Sequence, residues 1–282
     1  VFKDPEEELL PLLQEVTCGP AFLAFRDDEG VGHQLWRVKE PLELDRLAGM
    51  VGGKRLIIAD GHHRYETALA YSGEEPAARA DQPRAYVSVA LYRSEDPGLV
   101  ILPVHRLLRS LPLPAREVYG RLERFFHVEV IRRDPGMRQG MFRDELEGCG
   151  RPCFIMVTRD GAARLVLREG VEPSRVIRGP ESARWKSLDV PILHTLVLGE
   201  GLGLDADVLA ERGELSFTPW ESAVVSGIEG GEAEAAFIVG PTRIEDIWEI
   251  AEGGERMPHK SSYFYPKLPS GLVLYDHETA LA

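Results

Sequence analysis

The stretch Leu56-Ile57-Ile58-Ala59-Asp60-Gly61-His62-His63-Arg64-Tyr65-Glu66-Thr67-Ala68-Leu69-Ala70-Tyr71 constrains this chain more than any other. Three large apolar residues, two of them β-branched, predict a short buried strand over Leu56–Ile58. Asp60 and Gly61 end it. From Arg64 onward, Tyr65, Ala68 and Leu69 follow the i, i+3, i+4 spacing of one helical face. Two histidines and an arginine therefore sit in a tight turn at a helix start. Such a turn offers unpaired N–H groups and the positive end of the helix dipole, both of which favour anions. The expectation is that this turn holds a phosphate group and that other basic loops converge on it.

The chain has 282 residues and is 44% hydrophobic, enough to bury the core of one large domain or two ordinary ones. A net charge of −13 argues against bulk nucleic-acid binding, so local basic clusters stand out against the average. With 28 glycines and 20 prolines, many ordered loops are expected. The cysteines Cys18, Cys149 and Cys153 are odd in number and irregular in spacing, which suits a reducing compartment and is not a disulfide framework. Cys149 and Cys153 lack further ligands in zinc spacing. No apolar run is long enough to span a membrane and no secretory signal is present, so a cytoplasmic location is expected. The opening Val1-Phe2-Lys3-Asp4-Pro5 reads unlike a natural start, so a preceding segment is expected.

In chain order, helices are predicted over 5–16 and 42–50, around a hairpin of strands 21–25 and 34–38. Strand composition recurs at 85–92, 99–104 and 128–131, with a helix over 116–126. Residues 153–157 and 163–167 flank Asp160-Gly161, a hairpin signal. Helices follow over 191–198, 220–228 and 244–251, with a strand at 235–239. The chain closes on an apolar strand, 271–275. Leu111-Pro112-Leu113-Pro114 suggests a boundary, dividing the chain into 1–112 and 113–282.

Several side chains are candidates for chemistry, each with a plainer alternative. Asp60 suits an N-cap, or a magnesium ligand or base beside a phosphate. Gly61 permits a turn or close approach that a side chain would block. His62 and His63, being neighbours, point different ways, one toward a site and one into packing. Arg64 has the planar fork for phosphate, or for a salt bridge to an acid. Glu66 lies four residues from His62 and could share a metal with it, or be a solvated helix residue. His105 and Arg106 form a second histidine–arginine pair after a strand, either a pocket wall or a surface ion pair. His259, Lys260 and Ser261 lead into Tyr263-Phe264-Tyr265 and Lys267: phosphoryl-binding groups with stacking aromatics, or a buried strand. The phosphate-loop, dinucleotide and nucleophile-elbow motifs are absent.

Three separated segments, Ile58–Leu69, Gly98–Arg106 and Met257–Lys267, strongly resemble the signatures of a conserved family, domain-of-unknown-function family 1015, across almost the whole chain. Its members are usually longer at the N-terminus. The Asp60-Gly61-His62-His63-Arg64 turn is also similar to the motif of the ParB/sulfiredoxin-like superfamily, which includes an archaeal ADP-dependent serine kinase. That resemblance implies phosphate or nucleotide binding by Gly61, His62, His63 and Arg64, and a catalytic or magnesium role for Asp60.

The expectation is thus an α/β protein with a mixed sheet. Residues 1–112 form a ParB/sulfiredoxin-like portion, and 113–282 a second α/β portion whose 257–267 loop returns toward Asp60. Catalytic roles fall to Asp60, His62 and His63. Phosphate or nucleotide contacts fall to Gly61, Arg64, His105, Arg106, His259, Lys260, Ser261 and Lys267. The implied reaction is phosphoryl transfer to a small hydroxyl metabolite, with magnesium and ADP or ATP. The alternatives are a nucleotide-binding switch without turnover, a metal-dependent hydrolase built on Asp60, His62 and Glu66, or a purely structural polar cluster. Neither nucleic acid nor membrane is expected as a partner, and the sequence leaves the oligomeric state open.

Overall fold

The computed structural model describes residues 1–28, 30–74, 82–131, 141–146, 148–150 and 152–277. The fold is mixed α/β and divides into two compact units. Unit 1 comprises Val1–Val100 with Pro266–Ala282, and unit 2 comprises Ile101–Tyr265. The 111–114 segment, which its prolines mark as a boundary, lies instead within unit 2.

Unit 1 contains the predicted hairpin, β1 (Leu23–Arg26) and β2 (Gly32–Leu35), antiparallel with Leu23 opposite Leu35. Its helices are Leu10–Thr17, Pro41–Gly52 and His62–Gly73. The first starts later than the predicted residue 5, because the buried Asp4 carboxylate takes the Leu9 N–H (3.1 Å) and organises the preceding residues as turns. The interior combines Val1, Phe2, Leu9 and Leu12 with the buried charges of Asp4 and Arg93. Lys54 closes on Asp4 at 2.7 Å, satisfying a carboxylate that would otherwise be costly to bury.

The predicted strand 56–58 is reduced to a single bridge, Leu56 opposite Phe2, with Ile57 and Val1 exchanging backbone hydrogen bonds of 2.8 and 2.9 Å. Residues 85–92 and 271–275 also form no regular strand. Their composition favours extended backbone, but a ladder requires a neighbour of matching length; at the end of the first stretch Tyr92 accepts the Phe2 N–H at 2.9 Å, beside an isolated bridge from Phe2 to Arg93.

Unit 2 is built on a six-stranded sheet. After β3 (Val100–Leu102), which pairs elsewhere, come β4 (His105–Leu108), β5 (Phe126–Ile131), β6 (Cys153–Thr158), β7 (Gly161–Leu167), β8 (Leu215–Thr218) and β9 (Ala235–Val239). The order is β5-β7-β6-β9-β4-β8, and each pairing is antiparallel. β3 pairs with β10 (Tyr263–Tyr265), so the aromatic run is a strand with Phe264 buried. The β6–β7 hairpin turns at Arg159-Asp160, one position before the expected Asp160-Gly161.

Strand alternation sorts the core into two faces. Phe154, Met156, Leu165, Leu108 and Phe237 pack under helix Ala115–Leu122 and the segment Leu193–Gly201, which is π-helical. On the other face, Leu107, Ile155, Val157 and Ile238 pack against Val224 and Ile228 of helix Glu221–Gly230. That helix approaches closely at Gly227, where a Cβ would stand 2.7 Å from Leu107 Cδ2.

Candidate functional site

The candidate residues fall into two clusters, one in each unit. In unit 1, Gly61 is the N-cap of helix His62–Gly73 and adopts the left-handed conformation (φ 80°, ψ 29°). That region is easily reached by glycine and strained for other residues. The N-cap role considered for Asp60 thus belongs to Gly61, and the helix start has no side-chain cap. The first-turn N–H groups have no acceptor within the helix, which leaves the positive end of the dipole available.

Asp60 instead gathers cations. Its Oδ2 accepts from Lys267 Nζ at 3.1 Å, and Arg64 Nη2 stands 3.7 Å away. Partial burial pushes the Asp60 carboxyl up, but Lys267, the Gly61 N–H and Arg64 outweigh it and hold the group below the usual carboxylate range. The Arg64 side chain folds back over Gly61, where an added Cβ would meet its guanidinium at 2.9 Å. Arg64 remains 81% exposed, so its fork is open to an incoming anion. Gly61→Ala combines a disfavoured φ with this contact and is expected to cost about 1–2 kcal/mol. Chemical denaturation checks it, and an unchanged midpoint would contradict the account.

His62 and His63 are exposed on the first turn. His63 Nδ1 lies 3.4 Å from Glu66 Oε2, an i, i+3 contact along the first turns of the helix. Among the described residues, no group of three or more His, Cys, Asp or Glu side chains could hold a metal ion.

In unit 2, His105 and Arg106 follow β3, as expected, but are neither a pocket wall nor a surface ion pair: they are the first residues of β4, an inner strand of the sheet, and both are buried. Arg106 is fully buried. Its Nη1 donates to the Val104 carbonyl, its Nη2 to the Lys260 carbonyl at 3.0 Å, and its Nε to His194 Nε2 at 3.4 Å. The guanidinium stacks over Phe217, 5.6 Å from the ring centre. Burial lowers its pKa to about 10, which still leaves it charged at neutral pH. Here the arginine fork knits the interior, and these hydrogen bonds go to protein groups rather than to a surface anion.

His105 Nδ1 accepts from the Val239 N–H at 3.3 Å. A backbone N–H can only donate, and so can the Arg106 Nε that faces His194, so both imidazoles must be neutral acceptors in this geometry. Burial, then the Arg106 charge, lower His105 to about 4 and His194 to about 3. Nearby, burial and then Asp246 raise Asp189 to about 6, while Arg243 and Arg106 act the other way. Asp246 is held by Arg243 (2.8 Å) and Arg184.

Lys260 and His259 are exposed, and Lys260 takes a left-handed φ of 55°. Its conformation is held from both sides, by Arg106 on its own carbonyl and by Thr242 Oγ1 on that of buried Ser261 (2.6 Å).

Sequence reasoning does not single out Asp189, His194, Arg243 or Asp246. The one local signal is Arg243 three residues before Asp246 at a helix start; His194 reads as an ordinary residue of the helix predicted over 191–198, and Asp189 lies just before it. Two clefts of unit 2, of about 480 and 490 Å³, are lined by residues such as Arg109, Glu214 and Glu232, and Leu111, Arg159 and Asp160, and by none of the candidates. No described helix is long and apolar enough to cross a membrane.

Among solved structures, a conserved hypothetical protein from Pyrococcus furiosus is similar at 14% identity, covering 93% of this chain and 84% of its own, with a TM-score of 0.38. A free serine kinase variant in complex with ADP is similar at 15% identity, covering 93% and 81%, with a TM-score of 0.39. The free serine kinase in complex with AMP gives 13% identity, 93% and 81% coverage and a TM-score of 0.33. No curated protein gives a match. The family match runs over residues 1–191, through the Asp60–Arg64 turn and on across β4 with His105 and Arg106, and the chain accordingly belongs to the family described as protein of unknown function DUF1015.

Proposed function

We propose that the Asp60–Arg64 turn binds the phosphate of a nucleotide or of a phosphorylated small molecule, and that the chain is a phosphotransferase acting on a hydroxyl metabolite in the cytoplasm. The observation that carries this reading is the convergence of Lys267 and Arg64 on Asp60 at the uncapped start of helix His62–Gly73. Phosphoryl transfer asks a protein mainly for positioning and charge stabilisation, and these groups supply both. Backbone N–H groups of the first turn and the Arg64 fork receive phosphoryl oxygens. Lys267 turns from Asp60 toward the phosphate when ligand arrives, and Asp60 is released to orient the acceptor hydroxyl. One solvent-facing carboxylate also fits magnesium, which keeps most of its waters and takes few protein ligands; it would supply charge neutralisation between phosphates.

Thermal unfolding with ADP or ATP, each with and without magnesium, tests binding. A ligand at 100 times its Kd adds roughly 2.7 kcal/mol of stability. Arg64→Ala and Lys267→Ala should each remove most of that gain while leaving the ligand-free midpoint nearly unchanged, since both side chains are exposed or half-exposed. No stabilisation by any of these ligands would overturn the proposal. Binding without phosphorylated product from a panel of hydroxyl metabolites would reduce it to the nucleotide-binding switch.

A further inference from the structure

Cys149 and Cys153 are too few for a zinc site as the sequence presents them, yet unit 2 brings their sulfurs to 2.9 Å. Cys153 opens β6 and is buried, fixed by its pairing with Val166 on β7. Cys149 follows helix Met141–Leu146, is held by its N–H to the Leu146 carbonyl (3.4 Å), and is half-buried. One thiol is therefore within reach of a reagent, and the other waits behind it. Arg164 stands beside the pair on β7, its Nη1 on Glu145 at 3.1 Å, and its charge acts on both sulfurs.

We propose that Cys149 and Cys153 are a thiol-modification site that closes reversibly to a disulfide by exchange with a small disulfide such as oxidised glutathione. The Cys149 thiolate attacks one sulfur of the reagent. A mixed disulfide forms, and the first small thiolate leaves and takes up a proton. Cys153 then loses its proton to solvent and attacks Cys149 Sγ, forming the internal bond and expelling the second small thiol. Two protein thiols are oxidised and one reagent disulfide is reduced to two thiols. Sulfur travel of only about 1 Å separates the observed contact from a bond of about 2.05 Å. Burial, and then the neighbouring Cys149, raise the Cys153 pKa, which suits the thiol that reacts second.

The test uses the full chain with Cys18, the exposed cysteine of unit 1, replaced (Cys18→Ser). After oxidised glutathione, intact mass should fall by two hydrogen atoms, with no thiol left to alkylate under denaturing conditions. Dithiothreitol should restore both thiols. The same treatment of Cys18→Ser/Cys153→Ser should stop at a glutathione adduct on Cys149. A persistent adduct on Cys149 in the parent, or two thiols still alkylatable after treatment, overturns the proposal. Neither readout depends on nucleotide binding.

Discussion

Lowering the pH from 7 to 5 should destabilise the protein well before its carboxylates are broadly protonated. His105 and His194 are neutral acceptors in the fold, facing donors that cannot reverse. Unfolded, each takes a proton near pH 6.5, whereas folded they resist to about 4 and about 3. A base with a depressed folded pKa loses its stabilising contribution as pH falls below the unfolded value. Asp189 works oppositely: raised to about 6, it is protonated in the fold before it is in the unfolded chain, and so gains stability as pH falls from 6 toward 3.8. Near pH 5 the unfolded chain therefore holds two extra histidine protons and the folded chain about one extra aspartate proton. The net difference of about one proton gives a loss of about 1.4 kcal/mol per pH unit. Urea midpoints at pH 7, 6 and 5 measure it. His194→Gln keeps an acceptor for Arg106 and removes the titration, so its slope near pH 5 should fall close to zero. A parent midpoint that does not move between pH 7 and 5 would refute this account of the buried cluster.

Phe237→Ala should be the most damaging single truncation. Phe237 is fully buried at the middle of β9, opposite Met156 on β6 and Arg106 on β4. Neighbours on both sides are fixed by ladder hydrogen bonds, so the space left cannot collapse, and the expected cost is about 3–5 kcal/mol. Against a typical total of about 5–15 kcal/mol, that is a third or more of the stability. Val130→Ala on the edge strand β5, where the side chain is exposed, should change stability by less than about 0.5 kcal/mol. Guanidinium denaturation of both variants decides the matter. A Phe237→Ala cost no larger than that of Val130→Ala would show that the sheet centre is not where the fold is held.

What the chain reveals by itself is whatever neighbours along it decide. Helices Pro41–Gly52, Glu221–Gly230 and Ile244–Glu252 and the hairpins β1–β2 and β6–β7 follow from spacing and turn residues within a few positions. The turn at Asp60–Arg64 and the helix start at His62 are legible for the same reason. Pairing and burial are not legible. Leu56–Ile58 has strand composition yet forms only a bridge, because a strand is completed by partners far along the chain. His105 and Arg106 show the larger consequence. In sequence they are two basic residues beside a strand. In the fold, β8 and β9 enclose them more than a hundred residues later, making one a neutral acceptor and the other an internal clamp. Cys149 and Cys153 likewise become a pair only because β6 and the preceding helix end meet. Charge state and reactivity depend on desolvation and on groups brought from afar, and only the tertiary structure decides those.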